Sequence, residues 1–460
     1  MKYYIYPAGG HGKMLAFNMD LLGLKYEFID DLNPEYKSLD ELANELGANK
    51  ESKSKRDDEY IVLLACDRCQ ENSQERQKTL VQNLAKNNLK YKDGFTFTLP
   101  LIIKKHHINL KNSVALVANK SMNNKHYGFM PKFFMDKGLD VVYVFNDIDE
   151  YQKSLENSEQ YKKIFIPLSH MYLFEVAALL SCYINYYAIC ECAQPLLSDK
   201  TFSLMLDHSL TLARIGIIYN KIYGTDGILV FKKFENKYCM AAFRSDIELL
   251  STYSKKIHPL FLGYPGLDIN LQNFKVQEAQ KIVYILPISY EACDKYISLI
   301  QSLYKLGYQS IYRPHPGYKN REDAIRLISF CQNFKGASVD LKPQIDPDIM
   351  AKISFCISDY SSTCFSVPIT NLRPCILYYP QDIFGKDFEK YEINGKTFSF
   401  SDERLHIIAR SEDEVINAVK NLDLAKYEKS IMDFRQKEMI NLGCASEHIV
   451  DFVLEHINKS

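Results

Sequence analysis

The sequence predicts an α/β protein of parallel sheets wrapped by helices, and three observations carry that expectation. Short β-branched and aromatic runs alternate with helical stretches along the chain, the pattern of parallel α/β layers. No period of about 20–50 residues recurs, so a solenoid is not expected. With 460 residues, 47% hydrophobic and 25% charged, the chain has the ordinary globular mix and room for two to four domains, each with its own core.

Four segments follow in order. Residues 1–111 open on a strand at 3–6, a turn Ala8-Gly9-Gly10-His11-Gly12-Lys13, a helix at 14–22 and a strand at 26–29 that ends in Asp30-Asp31. A buried strand at 60–65 comes after a polar, Lys-rich loop at 49–58. Residues 112–258 carry strands at 114–117, 141–145 and 164–168, a candidate fourth at 186–190, and a helix near 127–136. Residues 259–425 begin at Pro259, lead through Phe261-Leu262 into Gly263-Tyr264-Pro265-Gly266 and continue through strands at 282–286, 310–313, 355–357 and 375–379, with helices such as 294–306 and 320–331 between them. Residues 426–460 close the chain with amphipathic helices at 426–439 and 446–457 that pack back on the lobes. Two successive sheets of this kind predict two lobes facing each other across a cleft, with ligands beyond the carboxyl ends of the strands.

Charge and cysteine usage narrow the function classes. Lys plus Arg is 56 and Asp plus Glu is 57, so the formal net charge is −1 and no nucleic-acid partner is expected. Twelve cysteines are too dilute for a disulfide scaffold, and Cys356 and Cys375 sit inside apolar runs as small core residues do. Cys66-Asp67-Arg68-Cys69 has the spacing of half a zinc site, but no second pair completes it; neither a metal nor a cofactor is expected. The N-terminus reads as a first strand and not as a signal peptide, which points to a reducing cytoplasmic compartment. The apolar stretch 171–193 reads as a buried helix followed by a strand, although its length would also span a bilayer.

The chemistry concentrates in two places. The strand at 355–357 runs into Ser358-Asp359-Tyr360-Ser361-Ser362-Thr363 and then a short helix at 364–370. Three consecutive hydroxyls thereby stand on a helix's first turn, where unpaired amides and the macrodipole favour an anion. Ser361, Ser362 and Thr363, with Asp359, are the candidate phosphate-binding residues. Ser, Thr and Asp are also the preferred helix caps, so by itself the turn reads equally as a cap. The segment Tyr312-Arg313-Pro314-His315-Pro316 tips the balance. Arg313 brings a permanent cation, and two prolines present His315 at a fixed angle, where it can donate to an anionic oxygen or move a proton.

These segments resemble the CDP-glycerol glycerophosphotransferase family of teichoic-acid and capsule polymerases. The resemblance rests on Arg313-Pro314-His315-Pro316, Ile357-Ser358-Asp359-Tyr360-Ser361-Ser362 and Asn371-Leu372-Arg373-Pro374-Cys375-Ile376-Leu377-Tyr378-Tyr379. Gly263-Tyr264-Pro265-Gly266-Leu267-Asp268, the segment 346–351 and Ala445-Ser446-Glu447-His448-Ile449-Val450 extend it over about residues 259–460. It implies a GT-B fold, two Rossmann-like lobes with the activated donor in the C-terminal one, and transfer of glycerol phosphate from a CDP donor to a hydroxyl of a bacterial surface glycan, free or lipid-linked. It further implies that His315 and the Ser361–Thr363 turn bind the donor's phosphates. A related His-Pro plus Ser-Ser pattern occurs in polysialyl- and Kdo transferases, so a CMP- or UDP-activated sugar is the alternative donor. The family's Trp-His-Gly-Thr-Pro segment, whose His is the proposed base, is missing, and the chain has no Trp. His170 is the positional substitute, with His208 a second candidate. That departure leaves open a non-catalytic nucleotide-sugar-binding protein.

The N-terminal turn resembles something else. Gly9, Gly10, His11, Gly12 and Lys13, followed by Phe28-Ile29-Asp30-Asp31, are similar to the Rossmann-like N-terminal domain of bacterial sugar O- and N-acyltransferases, where the turn helps hold a nucleotide sugar. The hexapeptide repeats of those enzymes are absent here. The segment 385–391 reads as a solvated loop, with a cover over the donor as the alternative. Association with the inner face of the membrane stays open.

Overall fold

The computed structural model describes residues 1–48, 60–66, 71–109, 112–118, 126–156, 161–167, 182–186, 203–206, 210, 214, 238–253, 258–273, 275–289, 291–315, 319–342 and 345–457. The chain divides into two compact units: Met1–Asn124 with Pro131–Leu204 and Val453–Ser460, and Lys125–Met130 with Met205–Phe452.

In the first unit, alternating apolar runs build two parallel sheets. One has the order Tyr26–Phe28, Lys2–Tyr6, Tyr60–Leu64, Tyr91–Asp93. Tyr4, Tyr6, Val62 and Leu64 bury one face of it against Leu39 and Leu42 of the helix Leu39–Leu46 and Leu80 and Leu84 of the helix Glu71–Lys86. That period-2 burial is what half-buried strands require. Helix Leu39–Leu46 starts at a capping box, in which the Ser38 hydroxyl accepts from the Glu41 amide and the Glu41 carboxylate from the Ser38 amide. The second sheet includes Cys182–Tyr186, Ser113–Ala118, Asp140–Phe145 and Lys162–Phe165, in that spatial order and parallel.

The expected strand at 164–168 thus begins two residues earlier, and Pro167, which has no amide to donate, lies beyond its end. A strand Cys182–Tyr186 lies inside the long apolar stretch; of the strand expected at 186–190 only Tyr186 is among the described residues. The rest of that stretch, and the loop at 49–58, lie outside the described residues. Among the described residues no helix is long and apolar enough to cross a membrane.

The second unit is organised around a parallel sheet whose described strands run Ala337–Val339, Gln309–Tyr312, Ile282–Leu286, Phe355–Ser358, Cys375–Tyr378, His406–Ala409. Numbered along the chain this is the order 3-2-1-4-5-6 of a doubly wound nucleotide-binding sheet. Both faces are buried, so the strands read as continuous apolar runs. On one face Tyr284, Ile311, Cys356 and Leu377 pack with Cys364, Phe365 and Ile369 of the helix Thr363–Asn371 and with Ile431 and Phe434 of the helix Leu424–Glu438. On the other, Val283, Ile285, Tyr312 and Ile357 pack with Leu299 and Leu303 of the helix Cys293–Lys305 and Leu327 and Cys331 of the helix Glu322–Asn333.

Two of the family-like segments meet directly. The Asp268 carboxylate accepts from the amides of Ala445 (3.2 Å) and Ser446 (2.7 Å), fixing the start of the closing helix. Gly263 has φ of +83°, and a side chain there would meet the Ile440 carbonyl at 2.4 Å, so both conformation and space demand glycine.

Candidate functional site

In the order 3-2-1-4-5-6 the chain reverses direction of travel between Ile282–Leu286 and Phe355–Ser358, and ligands bind outside the carboxyl ends of the strands at that switch point. Every phosphate candidate of the second unit comes from a loop at this edge. Arg313 and His315 follow the strand Gln309–Tyr312, while Asp359, Ser361, Ser362 and Thr363 follow Phe355–Ser358. One strand lies between the two, so their strand ends are about 10 Å apart.

The hydroxyl-bearing turn forms because its carbonyls accept early. Ser361 O takes the Cys364 amide at 3.0 Å, and Ser362 O takes the amides of Phe365 (3.1 Å) and Ser366 (3.2 Å), which starts the helix Thr363–Asn371. Ser362 stands at the cap position with φ −59° and ψ −19° and makes no side-chain cap hydrogen bond. The Ser361 and Thr363 hydroxyls pair at 2.8 Å, and the Thr363 amide reaches Ser361 Oγ only at 3.4 Å. The capping role that the sequence leaves open is therefore not the one Ser362 plays, and the first turn carries hydroxyls beside helix-terminal amides.

Asp359 faces the other way. It is fully buried, and its carboxylate accepts from the Ile288 amide (3.0 Å) and the Ser289 amide (2.7 Å) in the loop after Ile282–Leu286. Burial pushes its carboxyl up to about 7, against the pull of those amides. With both oxygens on backbone donors, Asp359 ties the two loops of the switch point together.

A second support was not legible in the sequence. His406, buried on the edge strand His406–Ala409, accepts the Asp402 amide at Nδ1 (2.9 Å), which leaves the proton on Nε2 to donate to the Cys364 carbonyl (3.0 Å). Its ring lies edge-on to Phe365, with centroids 4.6 Å apart. Burial pushes its pKa down to about 4, so it holds the helix's first turn as a neutral imidazole.

Arg313 is half-buried, and its Nη1 lies 2.8 Å from Asp340 Oδ2. Its amide continues the ladder onto Ile285 O at 3.0 Å. Pro314 is buried and His315 half-buried beside it; Pro316 lies outside the described residues. In the segment 385–391 Gly385, Lys386, Asp387 and Lys390 are exposed, as a solvated loop requires. Phe388 packs on the rings of Tyr360, Tyr379 and Phe384, and buried Glu389 pairs with Arg410 at 2.6 Å, so the segment also braces Tyr360 in the hydroxyl-bearing turn.

The N-terminal turn is built differently. Helix Gly10–Leu22 starts inside the motif, four residues before the sequence suggests, with Gly9 at the cap and no side-chain cap hydrogen bond. A Cβ at Gly9 or Gly10 would have nothing within 4 Å, whereas at Gly12 it would stand 2.2 Å from the Pro7 carbonyl. Lys13 donates its amide to Gly9 O at 3.0 Å, and His11 is half-buried. Asp30 accepts the Ala8 amide at 3.0 Å and Asp31 the Leu39 amide at 2.8 Å, so both carboxylates hold loops.

His170 and His208, the candidate bases, lie outside the described residues, as do Asp67, Arg68 and Cys69. Among the described residues no group of His, Cys, Asp and Glu is arranged to hold a metal.

No family model matches the chain, and no curated protein matches it in sequence. Solved structures do match. The wall teichoic acid polymerase TagF aligns with 84% of this chain and 98% of its own at 17% identity and a TM-score of 0.52. A TagF variant soaked with CDPG aligns over 85% and 99% at 16% identity and a TM-score of 0.51. UDP-GlcNAc 2-epimerase from Neisseria meningitidis, bound to UDP-GlcNAc, aligns over 74% and 99% at 12% identity and a TM-score of 0.47. The chain therefore has the GT-B α/β fold of TagF, the fold implied by the sequence resemblance.

Proposed function

We propose that the protein is a GT-B transferase that takes glycerol phosphate, or a related group, from a CDP-activated donor and places it on a hydroxyl of a bacterial surface glycan. What supports this reading is that the hydroxyl-bearing first turn and the Arg313–His315 segment both follow strands at the carboxyl edge of one sheet, one strand apart, in a chain with the TagF fold. The arrangement suits a diphosphate: amides and hydroxyls on one side, a guanidinium and an imidazole on the other.

In the reaction the acceptor oxygen attacks the distal phosphorus of the donor. The bond from that phosphorus to the bridging oxygen breaks, CMP departs, and the hydroxyl's proton passes to a base. Charge builds on the bridging and non-bridging oxygens. Arg313, His315 and the first turn of Thr363–Asn371 stabilise it in place, with most of their geometry set beforehand. For the base we propose His170, with His208 as the other candidate.

A sequence observation favours a second reading. The His-Pro plus Ser-Ser pattern also resembles that of transferases using activated sugars, and on this reading the same cradle serves a CMP- or UDP-activated sugar, where the glycosidic carbon is attacked and the nucleotide leaves. One assay separates the two. The protein is incubated with CDP-glycerol, CMP-sugars and UDP-sugars beside a glycan acceptor, and nucleotide release is followed. Release from CDP-glycerol alone supports the first reading and release from a nucleotide sugar alone supports the second. Tight donor binding without release on any acceptor makes the protein a nucleotide-sugar binder.

A further inference from the structure

We infer that Asp340 and Tyr284 are positioning residues that set the Arg313 guanidinium for the donor's diphosphate, an inference that rests on the transferase reading above. Neither residue lies in a motif that the sequence analysis singled out.

Asp340 follows the edge strand Ala337–Val339 and is buried. Its Oδ2 receives Arg313 Nη1 at 2.8 Å and the Tyr284 hydroxyl; its Oδ1 receives the Lys342 amide at 3.0 Å. Its own amide donates to Tyr312 O at 2.9 Å, one step past the end of the ladder. Three neighbouring strands therefore converge on one carboxylate: Tyr284 from the central strand, Arg313 from the next, Asp340 from the edge.

Strand alternation decides which way this points. Tyr284 and Ile311 lie in the apolar cluster that includes Cys364 and Phe365 of the phosphate helix, whereas Ile285 and Tyr312 lie in the opposite one. Arg313 shares the parity of Ile311, so it leaves the sheet on the face that carries the Thr363–Asn371 helix. The guanidinium is a planar fork, and gripping one nitrogen fixes the plane in which its other N–H groups lie.

A stabilising role alone explains the pair poorly. Side-chain exposures of 12% for Arg313 and 6% for Asp340 mean that both charges are largely desolvated, and such pairs roughly break even against an apolar pair of the same shape. What the pair supplies, and an apolar pair would not, is a cation of fixed direction at the ligand-binding edge of the sheet.

The test titrates the full chain with inorganic pyrophosphate and with CDP by calorimetry, with thermal unfolding followed in parallel. Asp340→Asn is expected to weaken both probes about tenfold and Tyr284→Phe about threefold, the scale on which a misaimed contact acts. In an Arg313→Met background the Asp340→Asn change is expected to add nothing. The double change Arg313→Met/Asp340→Leu is expected to unfold like the wild type while losing pyrophosphate. Should Asp340→Asn fail to fold, Tyr284→Phe and the double apolar variant still decide. Unchanged affinities with a lowered unfolding temperature would overturn the inference and leave the functional reading standing. A wild type that binds neither pyrophosphate nor CDP would overturn the functional reading, and the inference would fall with it.

Discussion

Two strand–turn–helix junctions in this chain are both candidate anion sites in sequence, one rich in glycine and one in hydroxyls, and they differ in construction. At the N-terminus, the strand Lys2–Tyr6 passes through Gly9-Gly10-His11-Gly12-Lys13 into the helix Gly10–Leu22. In the second unit, Phe355–Ser358 passes through Asp359-Tyr360-Ser361-Ser362 into Thr363–Asn371. Each offers helix-terminal amides. The first surrounds them with glycine and open space, and its Asp30 and Asp31 are engaged with backbone amides. The second adds hydroxyls and is braced from below: Asp359 joins it to the neighbouring loop, His406 holds the Cys364 carbonyl, and the aromatic cluster around Phe388 pins Tyr360. A helix terminus is common; side chains arranged to hold one still are less so, and they are what the proposed donor site adds to its terminal amides.

That contrast breaks first at His315. His315→Ala is expected to reduce nucleotide release by about 10²–10⁴-fold with the unfolding temperature retained, the range for losing a positioned proton donor. Full turnover in the variant would take the imidazole out of the chemistry and erase the distinction between the two junctions.

The brace can be sharpened by pH. The His406 pKa is lowered from 6.5 to about 4, so the folded state resists protonation. Its contribution is fully present above about pH 6.5 and is lost as pH falls toward 4, about 3 kcal/mol in all. Asp359, raised from 3.8 to about 7, has the opposite sign: its contribution is present at low pH and lost as pH rises through 7. Unfolding curves of wild type and His406→Gln from pH 4 to pH 8 isolate the histidine, because Asp359 is common to both. The wild type is expected to lose its advantage over the variant below about pH 6.5. Parallel curves would mean that His406 is not a neutral brace.

Smaller effects separate packing from binding at the N-terminal turn. Gly12→Ala drives a methyl to within 2.2 Å of the Pro7 carbonyl and is expected to destabilise the protein by about 2 kcal/mol while leaving CDP affinity alone. Ser361→Ala/Ser362→Ala should do the reverse, weakening CDP about tenfold at nearly constant stability. Gly10→Ala, with nothing within 4 Å, is expected to change either property least. A CDP affinity that followed Gly12 and ignored the serines would exchange the roles of the two junctions.

Much of the frame was legible because buried parallel strands write themselves as apolar runs: Ile282–Leu286 and Cys375–Tyr378 stand where the sequence places them, to within a residue. What was missed has physical causes. The edge strand Ala337–Val339 is three residues long and carries Ser338 in its middle, too short for any period. Helix Gly94–Lys105 begins with glycine and contains Pro100, both against helix formation on local grounds; packing overrides them, with Phe95, Leu99, Ile102 and Ile103 buried. The hairpin Lys390–Ile393 with Lys396–Ser399 could have been read, since Asn394-Gly395 takes the positive φ values, 50° and 77°, of a two-residue turn.

In the site, the motif residues were visible and their supports were not. Asp340 and His406 reach Arg313 and the Cys364 carbonyl from 27 and 42 positions away, and no local pattern encodes such a pairing. Asp359 was visible as part of a motif, but only the fold shows that its carboxylate is held by the amides of Ile288 and Ser289.

Amide hydrogen exchange on the full chain with and without saturating CDP is the most direct test of the switch-point site. Protection is expected at residues 359–366, 287–289 and 313–315, the loops of the switch point, and none at residues 9–13. Protection confined to residues 9–13, or absent from all of these loops under saturation, would contradict it.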